Sequence, residues 1–354
     1  MNTIVDFLTQ ETPDGNLAAI LAGVVEKTPA VPSFTKTLGL FTAEGVPGTT
    51  VKLDQKNSVI GLVQTSARGT DAPSASATGR GPTVHFEAVR VALERQFLAD
   101  EILNLRKLGT SEFEISAIEQ YFVNELAPVS GSVRATLENH RLGALRGYVL
   151  DANSDVITDL YTKFGITEPD TVYFDLTTAP SAGVPDPIRR KLAEKVVRPI
   201  KKSLGAIGSG QIWAMCGSQF FDELVGAEEC RETYANQAAA SALREGTAMT
   251  GRVFKYGDVN FVENFDTIGG TDLVDADEVR FFPAGVPGLF RQFFAPHDRD
   301  ASIPGKGIGQ PEYALPSFDP KGRYREVEIQ SNPVTICTRP QVLIGGRAGA
   351  DPAP

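Results

Sequence analysis

The densest reactive chemistry in this chain is positive charge. Arg189, Arg190, Lys191, Lys195, Arg198, Lys201 and Lys202 stand close together, with Glu194 as the one acid among them. Cations on one segment can neutralise phosphate and release its counterions, or meet carboxylates on another surface such as the acidic residues 272–278. A merely solvated face is the bland alternative. His85, His140 and His297 are the only histidines and form no i, i+4 pair, so one segment cannot supply a multi-histidine metal site. Cys216, Cys230 and Cys337 are widely spaced and lack a C-x-x-C pair, which implies neither a disulfide framework nor a zinc knuckle. Cys216 and Cys337 lie in apolar, strand-like stretches and read as core residues.

The remaining candidates for catalysis fail on spacing. Gly305-Lys306 is followed by Gly307 and lacks the upstream glycine and the Ser/Thr of a Walker loop. Gly305, Gly307 and Gly309 follow Pro304 and miss the G-x-G-x-x-G pattern, which reads as a flexible loop. Gly208-Ser209-Gly210 is a turn, not a G-x-S-x-G elbow. His297-Asp298-Arg299-Asp300 contains a histidine and carboxylates, yet a polar loop after the Phe293-Phe294 strand explains it without chemistry. The expectation is therefore a protein that is not an enzyme, with no catalytic residue, no cofactor and no metal ligand.

The elements that must position the cations follow from periodicity. Ile188, Leu192, Val196, Ile200 and Leu204 recur at every fourth position, which predicts a helix over residues 186–204. Buried strands are expected on either side of it, at 171–176 and 211–216. Residues 253–256 and 259–262 flank Gly257-Asp258, a two-residue hairpin signal. Residues 324–330, 333–338 and 341–344 read as strands. Upstream, Ser111 and Glu114 make a capping box, and Ile115, Ile118 and Phe122 continue a helix that Pro128 is expected to stop. A second helix is expected from about residue 132 to 150, a rod of roughly 28 Å. On it Arg134, Arg141 and Arg146 outnumber Glu138, which suggests a second basic wall.

Nearer the N-terminus, residues 17–25 form a short apolar helix candidate, and Pro29 and Pro32 leave an extended strap. Residues 51–86 depart from every compact pattern. Val51, Leu53 and residues 59–63 favour extended backbone, and Gly69, Pro73, Gly79, Gly81 and Pro82 punctuate the tip. A segment of this length without its own core lies on something else, and a second copy of the chain is the expected support. Residues 84–93 fit either strand or helix and serve as the return path.

The bulk numbers fit this picture. With 354 residues, 42% hydrophobic, the chain has apolar content for about two domains. A net charge of -10 argues against a general nucleic-acid coat, though not against a local basic face. The apolar run at 17–25 is far below the roughly 18 residues of a membrane span, and a basic signal-peptide start is missing, so the expectation is cytoplasmic folding without a membrane partner.

Several segments carry a family likeness in order: Lys255-Tyr256-Gly257-Asp258-Val259, the apolar stretch 289–294, Asp319-Pro320, then Gln330-Ser331-Asn332-Pro333 and Arg339-Pro340. In these the chain resembles the lambda-type major capsid proteins of tailed bacteriophages, the capsid protein E-like family with the Hong Kong 97 capsid fold. The resemblance implies an α+β subunit with an N-terminal arm at 1–44, an extended hairpin loop at 45–85, a peripheral domain on a long spine helix at 86–165, and an axial domain at 166–319. Peripheral return strands would follow at 320–345; the composition of 346–354, rich in Ala and Pro, reads as a tail with nothing to bury. The resemblance further implies self-assembly, as pentamers and hexamers, into an icosahedral shell around double-stranded DNA, held by weak non-specific contact. The protein would belong to the virion and assemble in the host cytoplasm, with scaffold, portal, decoration and maturation-protease partners. Two rivals stand beside it: an encapsulin-like shell enclosing protein cargo, and an intracellular α/β enzyme using the hairpin as a lid.

Overall fold

Two apolar clusters organise the chain, and one helix joins them. The computed structural model describes residues 34–56, 80–98, 100–101, 115–177, 187–205, 210–235, 253–264, 267–268, 271–272, 274–299, 307–319 and 323–352. The helix candidate at 17–25, the hairpin tip, the capping box at Ser111, and the Gly305-Lys306 and Ser209 motifs lie outside them.

The joining helix is Ile115–Arg146. Its first half packs Phe122, Leu126 and Val133 against Phe97, Val327 and Ile329 in the smaller cluster. Its second half places Leu142, Ala144 and Leu145 in the larger one. The expected stop at Pro128 and the second helix to residue 150 are both corrected. The helix runs through the proline, ends at Arg146, and Tyr148–Leu150 is a strand paired with Val156–Asp159. Proline removes one backbone donor and crowds one carbonyl, but Pro128 lies on the exposed side, where that carbonyl can turn outward. Packing on both sides of it outweighs the local penalty. The rod is about 48 Å long at 1.5 Å per residue, well beyond the roughly 28 Å expected.

The larger cluster is built on a six-stranded sheet, ordered Val172–Tyr173, Ile344–Arg347, Glu278–Ala284, Gln211–Cys216, Val259–Glu263, Val253–Tyr256. Consecutive side chains of a strand point to opposite faces. Phe281 therefore meets Phe174 and Phe261, whereas Phe282 meets Phe34 and Phe290. Gly257 and Asp258 both have positive φ, 55° and 66°, which is the geometry the hairpin between the last two strands demands.

The C-terminus corrects the sequence reading. Residues 340–342 form a 3-10 turn, and Ile344–Arg347 pairs with two neighbours inside the six-stranded sheet. Ala348 is buried, and Leu176 donates its N–H to the Ala348 carbonyl. Residues 346–349 are thus framework, not tail. A Cβ at Gly346 would lie 2.8 Å from Val279 and 2.9 Å from Phe174, so glycine there marks close packing of a strand and not the start of a loop.

Two three-stranded sheets accompany the six-stranded one among the described residues. Tyr313–Phe318, Tyr324–Ser331 and Val91–Leu98 form one, covering the smaller cluster. The other joins Thr42–Gly45, Phe290–Phe294 and Pro333–Cys337. Residues 34–44, expected to belong to an arm, are therefore part of the body. Thr35 is buried against the joining helix, donating its N–H to Glu138 Oε1 at 2.9 Å and its hydroxyl to Oε2 at 2.6 Å. The strands Thr50–Lys56 and Arg80–Glu87 pair antiparallel over most of their length. Their base carries Val51, Val84 and Phe86 into the larger core, with Phe86 against Phe164.

Candidate interaction surface

The basic segment is helical from Pro187 to Leu204, in three pieces: Pro187–Lys191, a π-helical turn Leu192–Val197, and Arg198–Leu204. The spacing of its apolar residues explains the irregular middle. In a regular α-helix each step of four residues drifts by about 40°, so five apolar residues four apart would spiral off any one face. A π turn holds more residues and rotates the stripe back. Arg198 N–H accordingly reaches five residues back to Ala193 O, and Pro199, which has no N–H, follows it. Ile188, Leu192, Val196, Ile200 and Leu204 are all buried as a result.

Both ends are fixed by distant groups. The buried Glu229 carboxylate accepts the Ile188 and Arg189 N–H groups, each at 2.9 Å, and also the Tyr256 hydroxyl. A carboxylate there satisfies otherwise unpaired donors and suits the positive end of the helix. At the other end Arg339 donates to Leu204 O at 3.3 Å. Neither partner is visible in the local sequence, because capping patterns speak only of residues a few positions away.

Of the sequence candidates, Arg189, Arg190, Lys195, Arg198, Lys201 and Lys202 are exposed. Lys191 is not one of the group: its ammonium donates to the Tyr173 and Phe174 carbonyls at 3.0 and 3.3 Å. Arg190 pairs with Glu194 at 3.1 Å on the surface. Arg189, Lys195, Arg198, Lys201 and Lys202 have no ion-pair partner among the described residues. Three acids of the stretch proposed to match them are engaged elsewhere. Asp275 and Asp277 pair with Arg347, and Glu278 with Arg146 and Arg280.

The second basic wall is withdrawn. Arg134 pairs with Glu312 at 2.9 Å, Arg141 grips Gln292 Oε1 at 2.9 and 2.7 Å, and Arg146 meets Glu278. These cations fasten the joining helix to the body. The His297 to Arg299 segment is likewise a clasp. Arg90 bridges Asp298, at 2.8 Å, and Glu328, which also receives Arg299, while the His297 ring stands edge-on to Tyr313. His140 is buried on the joining helix, and burial pushes its pKa down. His85 lies exposed on the hairpin stem. All three cysteines are free and buried; burial raises Cys230 and Cys337 to about 12 and Cys216 well above its usual value, so their thiols stay protonated. Among the described residues no group of three His, Cys, Asp or Glu could hold a metal ion.

Comparison with known proteins identifies the family and the fold. The chain is 26% identical over 342 residues to the major capsid protein of Pseudomonas phage KPP10, covering 90% of this chain and 93% of that one. It is 24% identical over 375 residues to the major capsid protein of Salmonella phage Felix O1, covering 97% and 99%. A crystal structure of a protein assigned as the capsid protein of an E. coli CFT073 prophage superposes with a TM-score of 0.56 at 10% identity, over 94% of this chain and 98% of that one. The fold is thus the α+β Hong Kong 97 capsid fold. The model of the family described as phage major capsid protein E matches residues 18–348, and the chain belongs to that family.

Proposed function

We propose that this chain, a phage major capsid protein by family, builds an icosahedral shell around double-stranded DNA by occupying rings of five and of six with one fold. The observation that carries this reading is the division of labour in the subunit. A helix of 32 residues packs into both cores, while the paired strands at 50–56 and 80–87 are anchored in the larger core through Val51, Val84 and Phe86. Stiffness keeps the curvature of a shell defined, and a projecting hairpin lets each copy grip a neighbour. Weak contacts become strong when every copy engages several others at once.

In this reading the extended hairpin is built on the paired strands Thr50–Lys56 and Arg80–Glu87. The peripheral domain holds the joining helix and the small sheet Tyr313–Phe318, Tyr324–Ser331, Val91–Leu98, and the axial domain holds the six-stranded sheet. No catalytic step is assigned to the chain. Scaffold, portal, decoration protein and maturation protease act as partners during assembly in the host cytoplasm. The cargo-enclosing rival shares the fold alone, whereas both curated relatives and the family model are those of phage capsids.

The hairpin tests the reading. Deleting residues 57–79 and joining the strands through a two-residue turn should leave the melting temperature within a few degrees of the full chain and abolish closed shells in electron micrographs. Unfolding of the deletion variant would place the tip inside the subunit core and contradict the division of labour.

A further inference from the structure

We infer that the exposed face of the helix at 187–204 contacts the phosphate backbone of packaged duplex DNA through Arg189, Lys195, Arg198, Lys201 and Lys202. The inference rests on the shell reading above and decides between the two partners that reading allows, a polyanion or a second copy.

The chemistry of the face separates these partners. Its exposed residues are Arg189, Arg190, Glu194, Lys195, Arg198, Lys201 and Lys202, without an exposed aromatic or aliphatic side chain among them. A seam between copies is centred on apolar and aromatic anchors and depleted in lysine. A phosphate-binding surface needs none of those anchors and is read by charge alone. The large aliphatic residues of this helix, Ile188, Leu192, Val196, Val197, Ile200 and Leu204, are all buried in the core.

The cations are also held as a partner would need them. Glu229 and Arg339 fix the two ends, and the π turn keeps the buried stripe facing inward, so the opposite side stays outward along its whole length. Glu194 answers Arg190 alone, and the Glu229 carboxylate is taken up by backbone N–H groups and the Tyr256 hydroxyl. Unanswered positive charge on a chain of net charge -10 therefore survives as a local feature, with an orientation.

Magnitude fits a lining. The cations from 189 to 202 span about 20 Å of helix, a length over which duplex DNA presents on the order of eleven phosphates. The face neutralises fewer than half of them and reads no base. Binding through it is weak, independent of sequence and steeply dependent on salt, which lets DNA move past the wall.

The test titrates the full-length protein with a short mixed-sequence synthetic duplex between about 50 and 200 mM salt and takes the slope of log K against log salt. The wild type should give a slope of about -4.5, near 0.9 for each of its contacts. Replacing Arg189, Lys195, Arg198, Lys201 and Lys202 with Gln should flatten it towards zero. Replacing the exposed Lys52, Lys163 and Arg231 with Gln should leave it unchanged. The double variant Lys201→Gln, Lys202→Gln should lower it by about two contacts, and it serves if the larger variant does not fold. An unchanged slope in the helix variants overturns the inference. So does an altered particle distribution in DNA-free sedimentation with an unchanged slope, which would make the face a seam between copies. A wild type that shows the predicted slope yet forms no shells would remove the shell reading and leave the phosphate contact standing.

Discussion

Glu278 gathers charge from its own strand and from two distant parts of the chain. Arg146 comes from the end of the joining helix at 3.4 Å, Arg280 from its own strand, and Arg347 from the C-terminal strand through Asp275 and Asp277. Burial alone pushes the Glu278 carboxyl up, but the Arg146, Arg280 and Arg347 charges outweigh it and hold the pKa below its ordinary 4.5. A lowered value in the folded state means stability that is present above the ordinary glutamate value and lost as pH falls through the depressed one. Glu278→Gln leaves two guanidinium groups without their buried counter-charge and should cost roughly 3 kcal/mol at neutral pH. The gap between wild type and variant, followed by chemical denaturation, should narrow once pH drops below the ordinary glutamate range. A gap that stays constant would show that charge is not what Glu278 contributes. None of this was legible in the sequence, because spacing reveals partners three or four residues apart and these lie across the whole fold. The burial of Cys216 and Cys337 and the apolar stripe from Ile188 to Leu204 were legible, since burial follows directly from residue type and period.

At the scale of elements, periodicity located the strands Gln211–Cys216 and Pro333–Cys337 and the Gly257-Asp258 turn, where local preference and tertiary packing agree. It misplaced elements where they conflict. Pro128 signals a helix end, yet cores on both sides carry the helix through. Gly345 and Gly346 signal a loop, yet they admit the close approach of neighbouring strands. The second conflict yields a prediction. Ile344–Arg347 lies second in the six-stranded sheet, and the backbone beyond it is still bonded, with Ala348 N–H to Asp277 O and Asp175 N–H to Gly349 O. Removing residues 344–354 should abolish a cooperative melt, because it exposes two strand edges and the surrounding core. Removing 351–354 should change stability by less than about 0.5 kcal/mol. Equal melts for the two truncations would show that the C-terminal strand is dispensable.

At the scale of the whole molecule, function was legible through ordered words in the C-terminal third, and the structure gives them a physical role. Gln330-Ser331-Asn332-Pro333 is the passage from the sheet that covers the smaller cluster to the sheet that ties in residues 42–45. Its polar side chains are buried and bonded: Ser331 to Pro311 O at 2.6 Å, Asn332 to Pro296 O at 2.8 Å and Gln330 to Asn332 at 3.1 Å. Such a junction tolerates few substitutes, because replacing any of these donors leaves a buried acceptor without its hydrogen bond. The surfaces that grip other copies carry no comparable internal constraint, and composition alone gives them no signature. The shell itself is therefore the property to measure. Full-length protein purified after expression in a bacterial host should appear in electron micrographs as closed isometric particles, with rings of five and six subunits in their averaged surfaces. A preparation that stays monomeric or dimeric at every protein and salt concentration, with the subunit folded, would contradict the account.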